Sequence, residues 1–265
     1  MEPIRYTLVG SGTVVPDADR GPACHHFACG SLTALCDLGS GTLRRMDGLG
    51  LSWSELDLVA VTHRHQDHIA DLLPLLFALR NAPGVERVRP LTLLGYRGFG
   101  RDLERLAEVF GGWVVEPGFP VEVREAADTP IELEREDQWI EIEGRAVVHT
   151  PEAVGYRLTL GASGREVVVA YTGDTEECAQ AIDLARDADL LIAECSVADE
   201  DRVPGHLTPR GVGRIAAAAA SRRVVATHFY ASALALGSEE IERRIRESYG
   251  HEPIDLGIDG LAIDL

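Results

Sequence analysis

The segment Thr62-His63-Arg64-His65-Gln66-Asp67-His68 sets four potential metal ligands within six positions, directly after an apolar run. That run, Leu56 to Val61, has the pattern of a buried strand, and in its extended tail His63 and His65, two residues apart, point the same way. They can share one ion. Asp67 and His68 open an apolar-periodic segment, Ile69 to Arg80, that predicts a helix, where adjacent side chains diverge and can serve a second ion nearby. Three imidazoles and a carboxylate suit zinc best, with manganese or iron admissible, because neutral His nitrogen and anionic oxygen are ligands these ions accept. The plainer alternative is a histidine-rich surface turn. It weakens because three more ligand types stand at the tips of apolar runs: His149 after Ala146-Val147-Val148, Asp174 after Val168 to Gly173, and His228 after Val224 to Thr227. Any one alone reads as a hydrogen-bonded turn residue, but three beside the central cluster point to a two-metal centre.

The elements that must position these residues alternate along the whole chain. Strand-like runs are Tyr6 to Val9, Leu32 to Cys36, Leu56 to Val61, Leu91 to Leu94, Val121 to Arg124, Trp139 to Val148, Tyr156 to Leu160, Val167 to Tyr171, Leu190 to Ala193, Arg223 to Ala226 and Leu261 to Leu265. Helical patterns cover Asp67 to Arg80, Arg101 to Phe110, Glu176 to Arg186, Pro209 to Ala220 and Ser238 to Tyr249. Thr208-Pro209 is a cap followed by proline at the first helical position, and Thr175 precedes Glu176 and Glu177 as the cap of another first turn. The pattern is mixed α/β. No repeat, linker or low-complexity tract divides it, so residues 1–265 are expected to form one domain.

The chain has 43 Asp plus Glu against 25 cations, all of them Arg, for a net charge of −18. Such a surface repels a phosphate backbone, and no local basic patch is visible, so nucleic acid is not the expected partner. Roughly 18 consecutive apolar residues would be needed to span a membrane; none occur, and no signal-peptide pattern precedes Thr7-Leu8-Val9. A cytoplasmic protein is expected. The five cysteines, an odd number without a Cys-x-x-Cys pair, fit buried free thiols rather than a zinc finger or a disulfide framework. Gly10-Ser11-Gly12 and Gly39-Ser40-Gly41 read as tight turns and match no dinucleotide or Walker fingerprint.

These motifs, in this order, resemble the metallo-β-lactamase superfamily, and most closely its ribonuclease Z and phosphodiesterase branch. The resemblance rests on Gly10-Ser11-Gly12 with Pro16 and Arg20, on Asp37-Leu38-Gly39-Ser40-Gly41-Thr42, and on the His63 to His68 cluster. It continues through His149, Tyr171-Thr172-Gly173-Asp174-Thr175, Gly205-His206-Leu207-Thr208 and Thr227-His228-Phe229. It implies an αββα sandwich with the site at one edge between two sheets. It also implies that His63, His65 and His149 bind one zinc, that Asp67, His68 and His228 bind the other, and that Asp174 bridges them. Asp67 would further orient or deprotonate the attacking water, Asp37 would fix a ligand imidazole from behind, and His206 would stand beside the substrate phosphate. Glu194, at the end of the Leu190 to Ala193 run, is a candidate to orient His206, although a carboxylate at a strand end is more often structural. The tandem His25-His26 is placed in a solvated loop near the site mouth.

Two divalent ions about 3.5 to 4 Å apart make hydroxide from a bridging water near neutral pH and stabilise charge on substrate oxygens, so hydrolysis is the expected reaction. Ribonuclease Z carries a basic tRNA-gripping arm between the third His motif and the bridging Asp. Here only 25 positions separate His149 from Asp174, mostly taken up by a strand hairpin with the short, uncharged turn Gly161-Ala162-Ser163-Gly164. A small phosphodiester is therefore the first choice of substrate. A lactone, carboxylic ester or arylsulfate is the alternative, tRNA 3′ processing or iron-dependent redox chemistry ranks lower, and an idle binding module is disfavoured by the filled ligand positions. A small-molecule substrate is the expected partner, and a homodimer is compatible with the chain.

Overall fold

Short apolar runs bounded by Gly, Pro and charged turns become strands. In the computed structural model, which describes residues 4–126 and 129–265, they assemble into two sheets flanked by helices. The approach to the first strand through Met1-Glu2-Pro3 lies outside the described residues. The chain runs β1 (Ile4–Gly10), β2 (Cys24–Cys29), β3 (Leu32–Cys36), α1 (Thr42–Gly48), β4 (Leu58–Ala60), α2 (Gln66–Ile69), α3 (Leu72–Asn81), β5 (Leu91–Gly95), α4 (Phe99–Phe110) and β6 (Val121–Glu125). It continues through β7 (Ile131–Arg135), β8 (Gln138–Ala146), β9 (Val154–Ala162), β10 (Arg165–Tyr171), α5 (Ala179–Leu184), β11 (Leu190–Glu194), α6 (Pro209–Ala219), β12 (Val224–Thr227), α7 (Ala231–Leu234), α8 (Ser238–Tyr249), β13 (Ile254–Leu256) and β14 (Ala262–Asp264).

Among the described residues the first sheet has the order β14-β1-β2-β3-β4-β5-β6 and the second β13-β12-β11-β10-β9-β8-β7. Each changes from antiparallel pairing at one side to parallel pairing at the other, the change falling at β3 in the first sheet and β10 in the second. Core residues such as Tyr6, Phe27, Val59, Leu93, Tyr156 and Leu158 fill the space between the sheets. Behind the second sheet, Leu184, Val212, Ile215, Ile241 and Ile245 of α5, α6 and α8 form a separate apolar layer. The strands β4, β5, β11 and β12 are buried along their whole length, as expected of parallel strands covered on both faces. The result is the αββα sandwich.

Three expectations are corrected. The helix expected over Asp67 to Arg80 is two helices, α2 and α3, broken at Ala70-Asp71. Pro74 explains the break: its ring would clash with the Ala70 carbonyl four residues back in a continuous helix. Asp71 instead accepts the backbone N–H groups of Gly41 and Leu43, both at 3.0 Å. The helix expected from Glu176 begins only at Ala179 and is capped by Cys178, whose sulfur accepts from Ala181 N. Thr175 is no cap, because its N–H donates to Glu194 Oε1 at 2.7 Å while Glu176 N donates to Val148 O at 2.9 Å. Finally, His25-His26 is not a solvated loop. Both lie within β2, a strand the sequence pattern did not predict, and are buried. β7, β13, α1 and α7 were likewise not anticipated.

Candidate metal centre

The candidate ligands leave the ends of β4, β8, β10 and β12, which open on the same edge of the sandwich. After β4 the backbone stays extended, with His65 at φ −63° and ψ 144°, before α2 begins. His63 Nε2 lies 2.9 Å from His65 Nδ1, and His149 Nε2 lies 3.2 Å from the same atom. Helix α2 then carries Asp67 and His68, the His68 ring packing 4.2 Å from that of His63. Their partner is His228, whose Nε2 stands 3.4 Å from Asp67 Oδ2. Asp174 lies between the two groups. Its Oδ1 is 3.4 Å from His68 Nε2 and 3.6 Å from His228 Nε2, whereas its Oδ2 is 3.9 Å from both His63 Nε2 and His149 Nε2. The geometry brings all seven candidates together, as one group of His63, His65, His149 and Asp174 and another of Asp67, His68 and His228.

A shell of hydrogen bonds fixes the rings from behind. Asp37, fully buried just past β3, accepts from His68 Nδ1 at 2.7 Å, Tyr171 OH at 2.7 Å and Thr62 N at 2.8 Å. Ser196 Oγ sits 3.0 Å from His228 Nδ1, and His149 Nδ1 donates to the Gly205 carbonyl at 2.9 Å. A Cβ on Gly205 would fall 2.9 Å from His149 Nδ1, so glycine is required for that approach. Asp37 and His228 both hold φ of 59°, the left-handed region that non-glycine residues rarely occupy. Such strain persists only where the surroundings over-determine it, and here it aims two side chains into one site.

The electrostatics divide the imidazoles: burial keeps His63 neutral, while the carboxylates favour charge on His68. Burial, with His68 adding to it, drives His63 down to about 2. Burial opposes ionisation of Asp67, yet His228 and His68 bring it down to about 2. Burial likewise opposes charge on His68, but Asp174 and Asp37 hold it well above its ordinary value, so the carboxylates draw positive charge into the site. His68 Nε2, His228 Nε2 and Asp174 Oδ1 are buried with no hydrogen-bond partner among the described residues. Orphaned buried polar atoms are costly, and three converging on one point fit a cation in the second cluster. The donors of the first group, three imidazole nitrogens and a carboxylate oxygen, likewise suit a borderline divalent ion.

His206 sits at the rim, with Nδ1 3.1 Å from both carboxylate oxygens of the buried Glu194 at the end of β11. Burial lowers its affinity for a proton, but the hydrogen bond to Glu194 outweighs that and raises it above its ordinary value. Sequence reasoning missed several participants: Thr62, Tyr171, Ser196, and Tyr230. The Tyr230 ring lies edge-on to His206 and His228, with centroids at 6.0 and 5.7 Å, and its hydroxyl has no hydrogen-bond partner among the described residues. Its signal was its position two residues beyond His228, on the same strand-end turn.

The beta-lactamase superfamily domain matches residues 36–229, a span that runs from just before Asp37 to just past His228. The chain belongs to that family. It is a hydrolase of the metallo-β-lactamase fold. A ribonuclease Z from Kineococcus radiotolerans is 29% identical over 274 residues, covering 86% of this chain and 84% of that protein. The probable metallo-hydrolase YhfI of Bacillus subtilis is 28% identical over 232 residues, covering 85% and 86%. The crystal structure of YhfI superposes over the full length of both chains with a TM-score of 0.76 at 23% identity. A diphosphatase of the PhnP family superposes with a TM-score of 0.69 at 20% identity, over 99% of this chain and 98% of that one. Both structural likenesses carry the fold.

Proposed function

We propose that this protein is a dinuclear, zinc-dependent phosphodiesterase acting on a small substrate. The observation that carries the reading is Asp174, whose two carboxylate oxygens face two separate groups of imidazoles. In this assignment His63, His65 and His149 hold one ion, Asp67, His68 and His228 the other, and Asp174 reaches both. Two divalent ions would supply Lewis acidity toward substrate oxygens and lower the pKa of water. Asp67 orients the attacking water and accepts its proton. Asp37 keeps His68 in the tautomer that presents Nε2 to the site. His206, held by Glu194, donates a proton to the departing oxygen, and Tyr230 offers its free hydroxyl to a non-bridging oxygen.

Relatives named ribonuclease Z and diphosphatase support phosphoester chemistry. A small substrate is supported by the β9 and β10 hairpin, which pairs from Tyr171 with Tyr156 out to Arg165 with Ala162 and occupies most of the chain between His149 and Asp174. The net charge of −18 also disfavours a long phosphate backbone. Protein purified without chelator should contain close to two zinc ions per chain, and a value near zero in folded, metal-replete protein would refute the site. Metal-loaded protein should cleave bis-aryl or cyclic phosphodiesters faster than lactones, arylsulfates or precursor tRNA. Sub-micromolar tRNA binding with a steep salt slope would instead indicate many phosphate contacts and a nucleic-acid substrate. His206→Ala should keep its metal and lose about 10² or more in kcat on diesters with poor leaving groups. Equal activity of parent and variant on every diester would shift the reading to the lactone, ester or sulfate class.

A further inference from the structure

The far side of the ligand loop borders a cavity of about 410 Å³, within the usual range for a small-molecule site. Its walls come from α3 and α4, with Leu72, Leu73, Phe99, Leu103 and Leu106 lining it. Its near edge is formed by Arg64 and Gln66, the two residues on either side of His65. Arg64 sits on that edge. It donates to Asp102 Oδ2 on α4 at 2.6 Å, lies 5.1 Å over the Tyr96 ring, and reaches within 3.6 Å of Glu152, three residues past His149.

Two features of this arrangement set its ligand chemistry. The Arg64 guanidinium is already neutralised by Asp102 and Glu152, and Arg105 also approaches Asp102, at 3.6 Å. The edge therefore offers no uncompensated cation to a phosphate, which leaves an anionic centre to the His and Asp clusters. The walls are apolar and partly open, with Ile69, Leu73 and Leu106 only half-buried on a chain that is 26% charged. Open apolar walls cost free energy unless something covers them. A cavity of roughly 150 Å³ accommodates benzene, so this one has room for a fused aryl or a medium-length alkyl group. We infer that this cavity receives the apolar substituent of the substrate, making the substrate class a phosphodiester with one aryl or alkyl chain beside its scissile ester. The inference rests on the phosphodiesterase reading, and its location follows from the cavity sharing its edge with the His65 loop.

The test uses the metal-loaded full chain in two arms. In the first, p-nitrophenyl phosphodiesters share a leaving group and differ in the second ester, from methyl through butyl and octyl to naphthyl. KM should fall by about an order of magnitude for every two methylenes buried. Leu106→Trp, which fills the cavity from α4, should collapse the octyl-to-methyl ratio toward one, and Leu73→Trp should do the same from the opposite wall if the first variant fails to fold. In the second arm, calorimetry compares octylphosphonate with methylphosphonate and needs no turnover. Octylphosphonate should bind at least tenfold tighter, with a more negative heat-capacity change. Diesters hydrolysed with a KM indifferent to chain length would overturn the cavity assignment and leave the hydrolase intact. Absence of any diester hydrolysis would defeat the parent reading, and the phosphonate pair would still decide whether the cavity binds apolar groups. Equal phosphonate affinities, or a dimer in the parent that Leu106→Trp dissociates, would show that the cavity is not a substrate site.

Discussion

Two groups of buried histidines can be compared within this molecule. His25 and His26 sit side by side in β2, buried, and His25 Nε2 and His26 Nδ1 have no hydrogen-bond partner among the described residues. His68 in α2 and His228 at the tip of β12 are as deeply buried and also carry orphaned nitrogens. The groups separate on what surrounds the nitrogens. At the tips, Asp67 and Asp174 approach within hydrogen-bonding or ligating range, and Asp37 clamps one ring from behind. In β2, His25 meets the Tyr6 hydroxyl at 3.0 Å and the Tyr171 ring, and among the described residues no carboxylate pairs with it. Burial drives His25 down to about 3 and His26 down to about 4, leaving both neutral. Burial and an orphaned nitrogen are thus insufficient to mark a cation site; converging carboxylates make the difference.

The comparison breaks most readily at Asp174. Asp174→Ala removes the carboxylate that faces both groups, so elemental analysis should fall from near two ions per chain to below one, with turnover lost by more than 10²-fold. Retention of both ions would dissolve the contrast between strand tips and β2. Asp37→Asn keeps the shape but weakens the clamp on His68, and chelator competition should report a 10- to 100-fold loss of metal affinity, the usual size for such a partner. Glu194→Gln should leave metal content unchanged and slow cleavage of diesters with poor leaving groups by about tenfold, while activated diesters change little.

A separate test bears on the β2 side. A histidine whose folded-state pKa is depressed stays neutral in the native protein, while the unfolded chain takes up a proton below about 6.5. Stability should therefore fall as pH drops from about 6.5 toward about 4 for His26, by roughly 3 kcal/mol over that window. In His26→Leu that contribution disappears, so denaturant midpoints of parent and variant should diverge across this window and run parallel below it. Parallel curves throughout would show that His26 takes up its proton as readily in the fold as in the unfolded chain.

The cluster from His63 to His68 was legible because four ligand types in six positions have no ordinary use in a core, and His149, Asp174 and His228 because each ends an apolar run. Asp37 was named beside the resemblance and Glu194 from its place at the end of an apolar run, and the geometry sets them against His68 and His206. The sequence hid what depends on tertiary neighbours. β2 lacks alternation because it is buried on both faces, so its histidines looked solvated. The break between α2 and α3 was readable in Pro74 but was masked by the apolar periodicity around it. The late start of α5 was not readable, since Thr175 and Glu176 are held by Glu194 and Val148 from other strands.

The site straddles the seam between the two sheets. His63, His65, Asp67 and His68 come from the first sheet's side, and His149, Asp174 and His228 from the second's, with His65 and His149 touching across 84 positions of chain. An ion held there would work as a rivet. Because it binds the folded seam and not the loosened one, it would add about 4 kcal/mol of stability at a thousandfold excess over its Kd. The melting temperature would then gauge free metal in the surroundings, and metal starvation would show first as a weakened joint between the halves of the sandwich.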